Sequence, residues 1–211
     1  MVGAARAHSK SEWHPLIAAF EQIRLYYTTR GWNISYAIHD SQTGMVTQIF
    51  QNFVKRKGIM TVPLPSGDHA HRVERRQGFL KETCRVIKTG FPTSLPHSLV
   101  PWLVMHAEMQ VNTTISQGNQ RQKPPQLEID GDSTLDYNYN RYFPCAFGDM
   151  SLAHKKSMVP DKAEDYAFEG IALFPSESKE SGYNFLNLKT GAVAARSSYD
   201  VLPSYTYSIY V

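Results

Sequence analysis

The sequence predicts an α/β chain: two parallel strands interleaved with helices, followed by a small β-rich module towards the C-terminus. Three observations predict it. In the first third, apolar residues switch between helical and alternating spacing in the order helix, strand, helix, strand, helix. A polar stretch over 118–142, carrying Pro124-Pro125, then interrupts the pattern. Beyond it, short β-like runs are divided by turn residues such as Lys189-Thr190-Gly191. The expected organisation is a first domain over 1–117, a polar linker over 118–142 and a β-rich module over 143–211.

Each element has its own signal. Leu16, Ile17, Phe20, Ile23 and Tyr27 recur at helical spacing, and Gly31 ends that helix. Trp32 to Ile38 alternates, with Ile34, Tyr36 and Ile38 on one face of a strand, and Asp40 just past its end. Met45, Val46, Ile49, Phe50 and Phe53 form one stripe of a second helix that stops at Lys57-Gly58. A short strand over 59–62 ends at Pro63, before a loop over 63–68. A third helix is predicted over 69–88, ended by Gly90 and Pro92. A fourth spans 98–114, with Pro101 suited to its first turn. The later strands are expected over 168–174, 183–188, 192–196 and 205–211.

Two parallel strands make a poor sheet by themselves. The sheet therefore calls for further strands, from elsewhere in the protein or from another chain.

The 42% hydrophobic share of 211 residues suffices for a packed core and excludes a wholly disordered chain. No apolar run approaches 18 residues, so no membrane-spanning helix is expected and no membrane partner. Residues 1–10 lack the apolar core of a secretory signal. Cys84 and Cys145 are too few for a disulfide framework or a four-ligand zinc site, which fits a reduced intracellular chain.

The net charge of +3 says little, but its distribution is uneven. Residues 55–88 hold nine basic and three acidic residues, a net +6, and the rest of the chain thirteen basic and sixteen acidic, a net −3. At ~100° per residue along the third helix, Lys81, Arg85 and Lys88 fall within about 40° of Glu74. Val73, Leu80, Cys84 and Ile87 fall on a separate, core-facing stripe. Such a cationic face is either an ordinary solvated face or one that tracks phosphates, with Glu74 held back for a metal.

Carboxylates at strand ends and helix starts can hold divalent ions for phosphoryl transfer. Asp40 and Glu74, 34 residues apart, are the two so placed. Asp40 could equally cap the helix that begins near Thr43, and Glu74 could pair with a neighbouring cation.

Residues 27–112 resemble the later half of the catalytic domain of copia-type retrotransposon integrases. The resemblance rests on Arg30-Gly31 before a strand ending at Asp40, Gly44-Met45-Val46, Lys57-Gly58-Ile59, and His69-Ala70-His71-Arg72-Val73-Glu74-Arg75 running on to Lys81-Glu82-Thr83-Cys84-Arg85. Leu95-Pro96, Leu99-Val100-Pro101-Trp102-Leu103-Val104 and Asn112 add to it. Phe147-Gly148-Asp149, Glu169-Gly170-Ile171-Ala172-Leu173, residues 188–191 and Val201-Leu202-Pro203 resemble the family's C-terminal β segment.

The resemblance implies an RNase H-like polynucleotidyl transferase fold, incomplete in this chain, and a role in DNA integration. In the family two Mg²⁺ or Mn²⁺ ions sit on three carboxylates. Asp40 matches the second of these and Glu74 the third, while the first lies on a strand upstream of the matched region. The chain is therefore expected to bind DNA without catalysing strand transfer alone. Lys81, Arg85, Lys88 and Arg75 are the implied nucleic-acid contacts. The implied partners are DNA and either a second copy or a complementing integrase chain, and the implied location is the nucleus. The alternative is a non-catalytic DNA- or chromatin-binding adaptor that works through the β module.

Other features carry less. His69 and His71 could face one metal but suit a loop before the Glu74 helix. Tyr137, Tyr139 and Tyr142 could stack on bases or pack where the linker meets the β module. No Gly-rich phosphate loop and no spacing for a Ser-His-Asp triad is present.

Overall fold

The computed structural model describes residues 13–39, 47–64, 71–91, 94–114, 123–130, 139–154, 166–176 and 182–203. The chain divides into two compact units, one drawn from 1–78 and 128–132 and the other from 79–127 and 133–211. The architecture is mixed α/β, as the sequence predicts: a parallel two-stranded sheet with helices, and a five-stranded antiparallel sheet.

The first unit holds α1 (Trp13–Thr28), β1 (Tyr36–His39), α2 (Gln48–Arg56) and β2 (Met60–Pro63). Its core is Phe50, Phe53, Val54 and Ile59, with Leu16, Ile17, Phe20, Ile34 and Ala37 packed around them. Phe20 sets its ring edge-on to Phe50 and Phe53, at 5.8 and 6.2 Å between centroids. Thr47 caps α2 by accepting from Phe50 N, and Lys55 and Arg56 in the last turn suit the helix dipole. Of the predicted stripe on this helix, Phe50 and Phe53 are buried and Ile49 is exposed. The reason is width: a nine-residue helix packing on one partner covers only a narrow arc. Met45 and Val46 lie outside the described residues.

β1 and β2 pair in parallel, Tyr36 opposite Met60 and His39 opposite Pro63. Met60 N donates to Ser35 O and Leu64 N to His39 O. In such a ladder alternate residues turn their backbone groups to the partner. Pro63 falls on the outward beat, so its missing N–H takes nothing from the sheet. Ile34 and Ala37 pack on the core, whereas Tyr36, Ile38 and Met60 are 50%, 56% and 64% exposed. Parallel sheets are normally covered on both faces; here, among the described residues, one face is bare.

The helix α3 (His71–Thr89) runs from the first unit into the second. A 3₁₀ turn at His97–Leu99 leads into α4 (Val100–Thr113), with Pro101 at its start as predicted. The stretch read as a linker is partly helical: α5 (Pro125–Asp130) and α6 (Tyr139–Tyr142) form within it. Neither has an apolar repeat of its own, so periodicity could not reveal them. α5, in the first unit from Glu128 onward, is held from outside itself. Trp32 Nε1 donates to Ile129 O at 2.9 Å and Arg30 Nε to Asp130 Oδ1 at 2.6 Å. Tyr139 stacks on Phe143 at 5.0 Å and its hydroxyl accepts from Gln110, which favours the packing role for this residue; Tyr137 lies outside the described residues.

The strands β3 (Met150–His154), β4 (Ala167–Pro175), β5 (Tyr183–Asn187), β6 (Val193–Arg196) and β7 (Tyr199–Val201) lie in the order β6-β5-β4-β3-β7. β6 and β7 sit at opposite edges, yet only Ser197 and Ser198 separate them. Three Cα steps reach about 11 Å, whereas the edges of a flat five-stranded sheet lie about 19 Å apart. The sheet must therefore curl towards a barrel. Its interior holds Cys145, Ala153, Ala172, Tyr183 and Phe185. Its outer face meets α4 in a second cluster of Leu95, Leu99, Leu103, Phe147, Leu173 and Phe174, with Trp102 stacked on Phe174 at 5.8 Å.

β4, β5 and β6 fall where predicted. β3 and β7 were not foreseen: the inward residues of β3 are the small Ser151 and Ala153, and β7 has three residues. The predicted strand over 205–211 lies outside the described residues. Both cysteines are free thiols, Cys145 buried and Cys84 half-buried. Among the described residues no helix is long and apolar enough to cross a membrane.

Candidate nucleic-acid interface

The site is best built from α3, the helix that carries most of the predicted functional residues. Glu74 in its first turn and Lys88 in its last both suit the helix dipole. Its end is set by Gly90 N to Ile87 O and Phe91 N to Lys88 O. Phe91 then packs on Phe147, 5.8 Å between rings. Gly148 makes room for it: a Cβ there would lie 2.3 Å from Phe91 Cζ, and the backbone has φ +95°.

Cys84 and Ile87 lie against the core cluster of Leu95, Leu99 and Leu103. Lys81, Arg85 and Lys88 are all exposed. With ~3.6 residues per turn, these three lie one above another on a face about 100° round the axis from the middle of the Cys84 and Ile87 face. Arg85 NH1 pairs with Glu82 within the helix, both side chains being more than half exposed. Such a pair is worth at most about 1 kcal/mol, so it yields readily to a phosphate. Lys81 and Lys88 have no ion pair among the described residues. Arg75 is exposed as well, but it sits about 100° round the axis from Glu74.

One part of the predicted core stripe is corrected. Val73 is 53% exposed. The stripe is covered from Leu80 onward, where the second unit's core is present, and open before it. Phe79 and Val86, seven residues apart, are exposed too.

Glu74 is exposed in the first turn. Asp40, its expected metal-binding partner, lies outside the described residues, as does His69. Among the described residues no group of three or more His, Cys, Asp or Glu is placed to hold a metal ion. Glu74 is a donor of the right kind for Mg²⁺ or Mn²⁺, a hard carboxylate oxygen, and one such ligand is not a site.

Sequence reasoning missed a second polar surface. Gln48, Gln51, Asn52 and Lys55 of α2, with Gly58 and Thr61, border an open groove of about 380 Å³. The signal was present as an i, i+3, i+4, i+7 stripe on the face opposite Phe50 and Phe53.

Comparison with known proteins adds little. No family model and no curated protein matches the chain. A chain from the cryo-EM structure of the simian T-cell lymphotropic virus intasome in complex with PP2A regulatory subunit B56 gamma is similar at a TM-score of 0.45 and 14% identity, over 90% of this chain. This chain spans 62% of that one's length.

Proposed function

We propose that the chain binds duplex DNA through the Lys81, Arg85 and Lys88 face of α3, as part of an integrase-like protein of the copia retrotransposon type. The observation that supports this reading is the division of α3 into two sides. Cys84 and Ile87 are spent on the core, and the three cations stand exposed in a row on the neighbouring face. The sequence resemblance supports the same assignment. Asp40 and Glu74 would hold Mg²⁺ or Mn²⁺, and a bound metal would supply Lewis-acid activation of a phosphodiester. Binding, rather than strand transfer, is the activity we assign to the chain alone. A role on DNA implies a nuclear location, and the open side of β1 suits a second copy or a complementing chain.

The test is fluorescence anisotropy with a ~20-base-pair duplex between 50 and 200 mM salt. Three phosphate contacts give a slope of log affinity on log salt of about −2.7. Reversing Lys81, Arg85 and Lys88 to Glu should abolish binding and leave the far-UV spectrum unchanged. Undiminished binding by that variant overturns the proposal.

A further inference from the structure

The two-stranded sheet of the first unit has an open edge beside a polar groove. β2 pairs with β1 on one side, and among the described residues the sheet contains no other strand. Met60 and Leu64 turn their N–H groups to β1, so by alternation Thr61 presents its N–H and C=O to the opposite side. The carbonyls of Ile59 and Pro63 point the same way. Ile59 N–H is used internally, donating to Val54 O at 3.0 Å, and Pro63 has none. The edge thus offers one donor flanked by acceptors, enough for about three residues of an added strand at ~3.3 Å each.

Alongside this edge runs the amide row of α2. Gln48 Nε2 donates to Asn52 Oδ1 at 2.9 Å, and Thr61 Oγ1 donates to Gln51 Oε1 at 3.1 Å. These bonds tie the amides to each other and to β2. They leave Asn52 Nδ2 and Gln48 Oε1 without a partner among the described residues. Among the described residues no carboxylate and no aromatic ring borders the groove, and Lys55 is the one charge that does.

We propose that this groove accepts a short extended peptide segment as a third strand on β2, with an acidic side chain beside Lys55. The edge supplies one donor and its flanking acceptors at the spacing of a peptide backbone, the mode of β-strand addition. The amides supply partners for its polar side chains, and Lys55 selects for acid. A single-stranded nucleic acid is disfavoured, because it needs rings for stacking and a run of cations for its phosphates. This is separate from the DNA-binding face on α3 and stands or falls without it.

The test is an NMR titration of the ¹⁵N-labelled full chain with the blocked peptide acetyl-Val-Thr-Val-Asp-amide up to millimolar concentration. The expected result is a shift of the Thr61 amide together with Asn52 and Lys55. Methylating the two central peptide nitrogens one at a time should weaken binding at least tenfold at one position and little at the other, because a strand edge engages alternate residues. Lys55→Glu should weaken the Asp peptide at least fivefold and favour the counterpart acetyl-Val-Thr-Val-Lys-amide. An unmoved Thr61 amide, or equal tolerance of both methylations, overturns the proposal. So does an oligothymidylate that shifts these residues where the peptide does not.

Discussion

His106 Nδ1 donates to the carbonyl oxygen of Leu173 at 2.8 Å, joining α4 to β4 across 67 residues. The bond has a cause in the sheet. Between Ala172 and Phe174 the β4–β5 register shifts, so Leu173 is the extra residue of a bulge. A bulge leaves a backbone group outside the ladder, and a buried carbonyl needs a donor. The imidazole supplies it and is thereby fixed as the Nδ1–H tautomer, with Phe143 and Phe147 packed edge-on.

Burial lowers the pKa of His106 to about 4, against the opposing effects of its bond to Leu173 and of Asp149. The unfolded chain takes up a proton near pH 6.5 and the folded one does not. Stability is therefore full above 6.5 and falls as pH drops towards 4, by about 3 kcal/mol in all. Urea unfolding of the second unit at pH 4, 5, 6 and 7 checks this, and a flat profile refutes it. His106→Phe should remove the pH dependence while lowering stability throughout, since Leu173 O is left without its donor.

Glu21 titrates in a lower window. Its carboxylate accepts from Arg24 at 2.8 Å and from Lys57 at 2.8 Å, and these two bonds hold its pKa at about 2. The folded value lies below the unfolded one, so this stabilisation is present above pH 4.5 and lost as pH falls towards 2. The groups are partly exposed, and Glu21→Gln should cost no more than about 1 kcal/mol at neutral pH. Acid titration of the variant should lack the low-pH step of the parent chain.

Gly148→Ala should destabilise by roughly 2–4 kcal/mol, through both the left-handed backbone and the collision with Phe91. The double variant Gly148→Ala, Phe91→Leu should recover the packing part and not the backbone part. Thermal unfolding of the four-member cycle separates them. Strict additivity would show that the ring contact is irrelevant.

Ser151 is fully buried on β3 and its Oγ has no hydrogen-bond partner among the described residues. Ser151→Ala should therefore be neutral or stabilising by up to about 1 kcal/mol. A measured loss of stability would point to a hydroxyl partner not seen here.

Arg30 lies 3.8 Å over the Tyr26 ring and bonds Asp130. A six-residue helix such as α5 does not persist on its own residues. Arg30→Ala should speed amide exchange across α5 at least tenfold and leave α1 unchanged. Equal protection in parent and variant would mean that Trp32 alone suffices.

Legibility in the sequence followed the strength of local signals. Phe50 and Phe53 announced the buried side of α2, and Lys81, Arg85 and Lys88 their shared stripe, because 3.6-residue periodicity is a property of the chain itself. Val73 and Ile49 were misplaced because burial depends on whether a neighbour arrives, and no helical period encodes that. β3 was hidden because a closely packed interior takes Ser151 and Ala153 where a strand signal expects large apolar groups. The pairing of Asp40 with Glu74 rests on the sequence alone.

The sequence by itself determined the α/β character, the position of most helices and strands and the concentration of basic charge on α3. These follow from composition and from local periodicity. The tertiary structure decided the curl of the five-stranded sheet, imposed by a two-residue link between its opposite edges. It decided the tautomer and pKa of His106, which depend on a bulge in a distant strand. It also decided the anchoring of α5 by Arg30 and Trp32, and the open edge of β2 beside the amides of α2. Each of these is a contact between segments far apart in the chain, and its energy exists only once those segments meet.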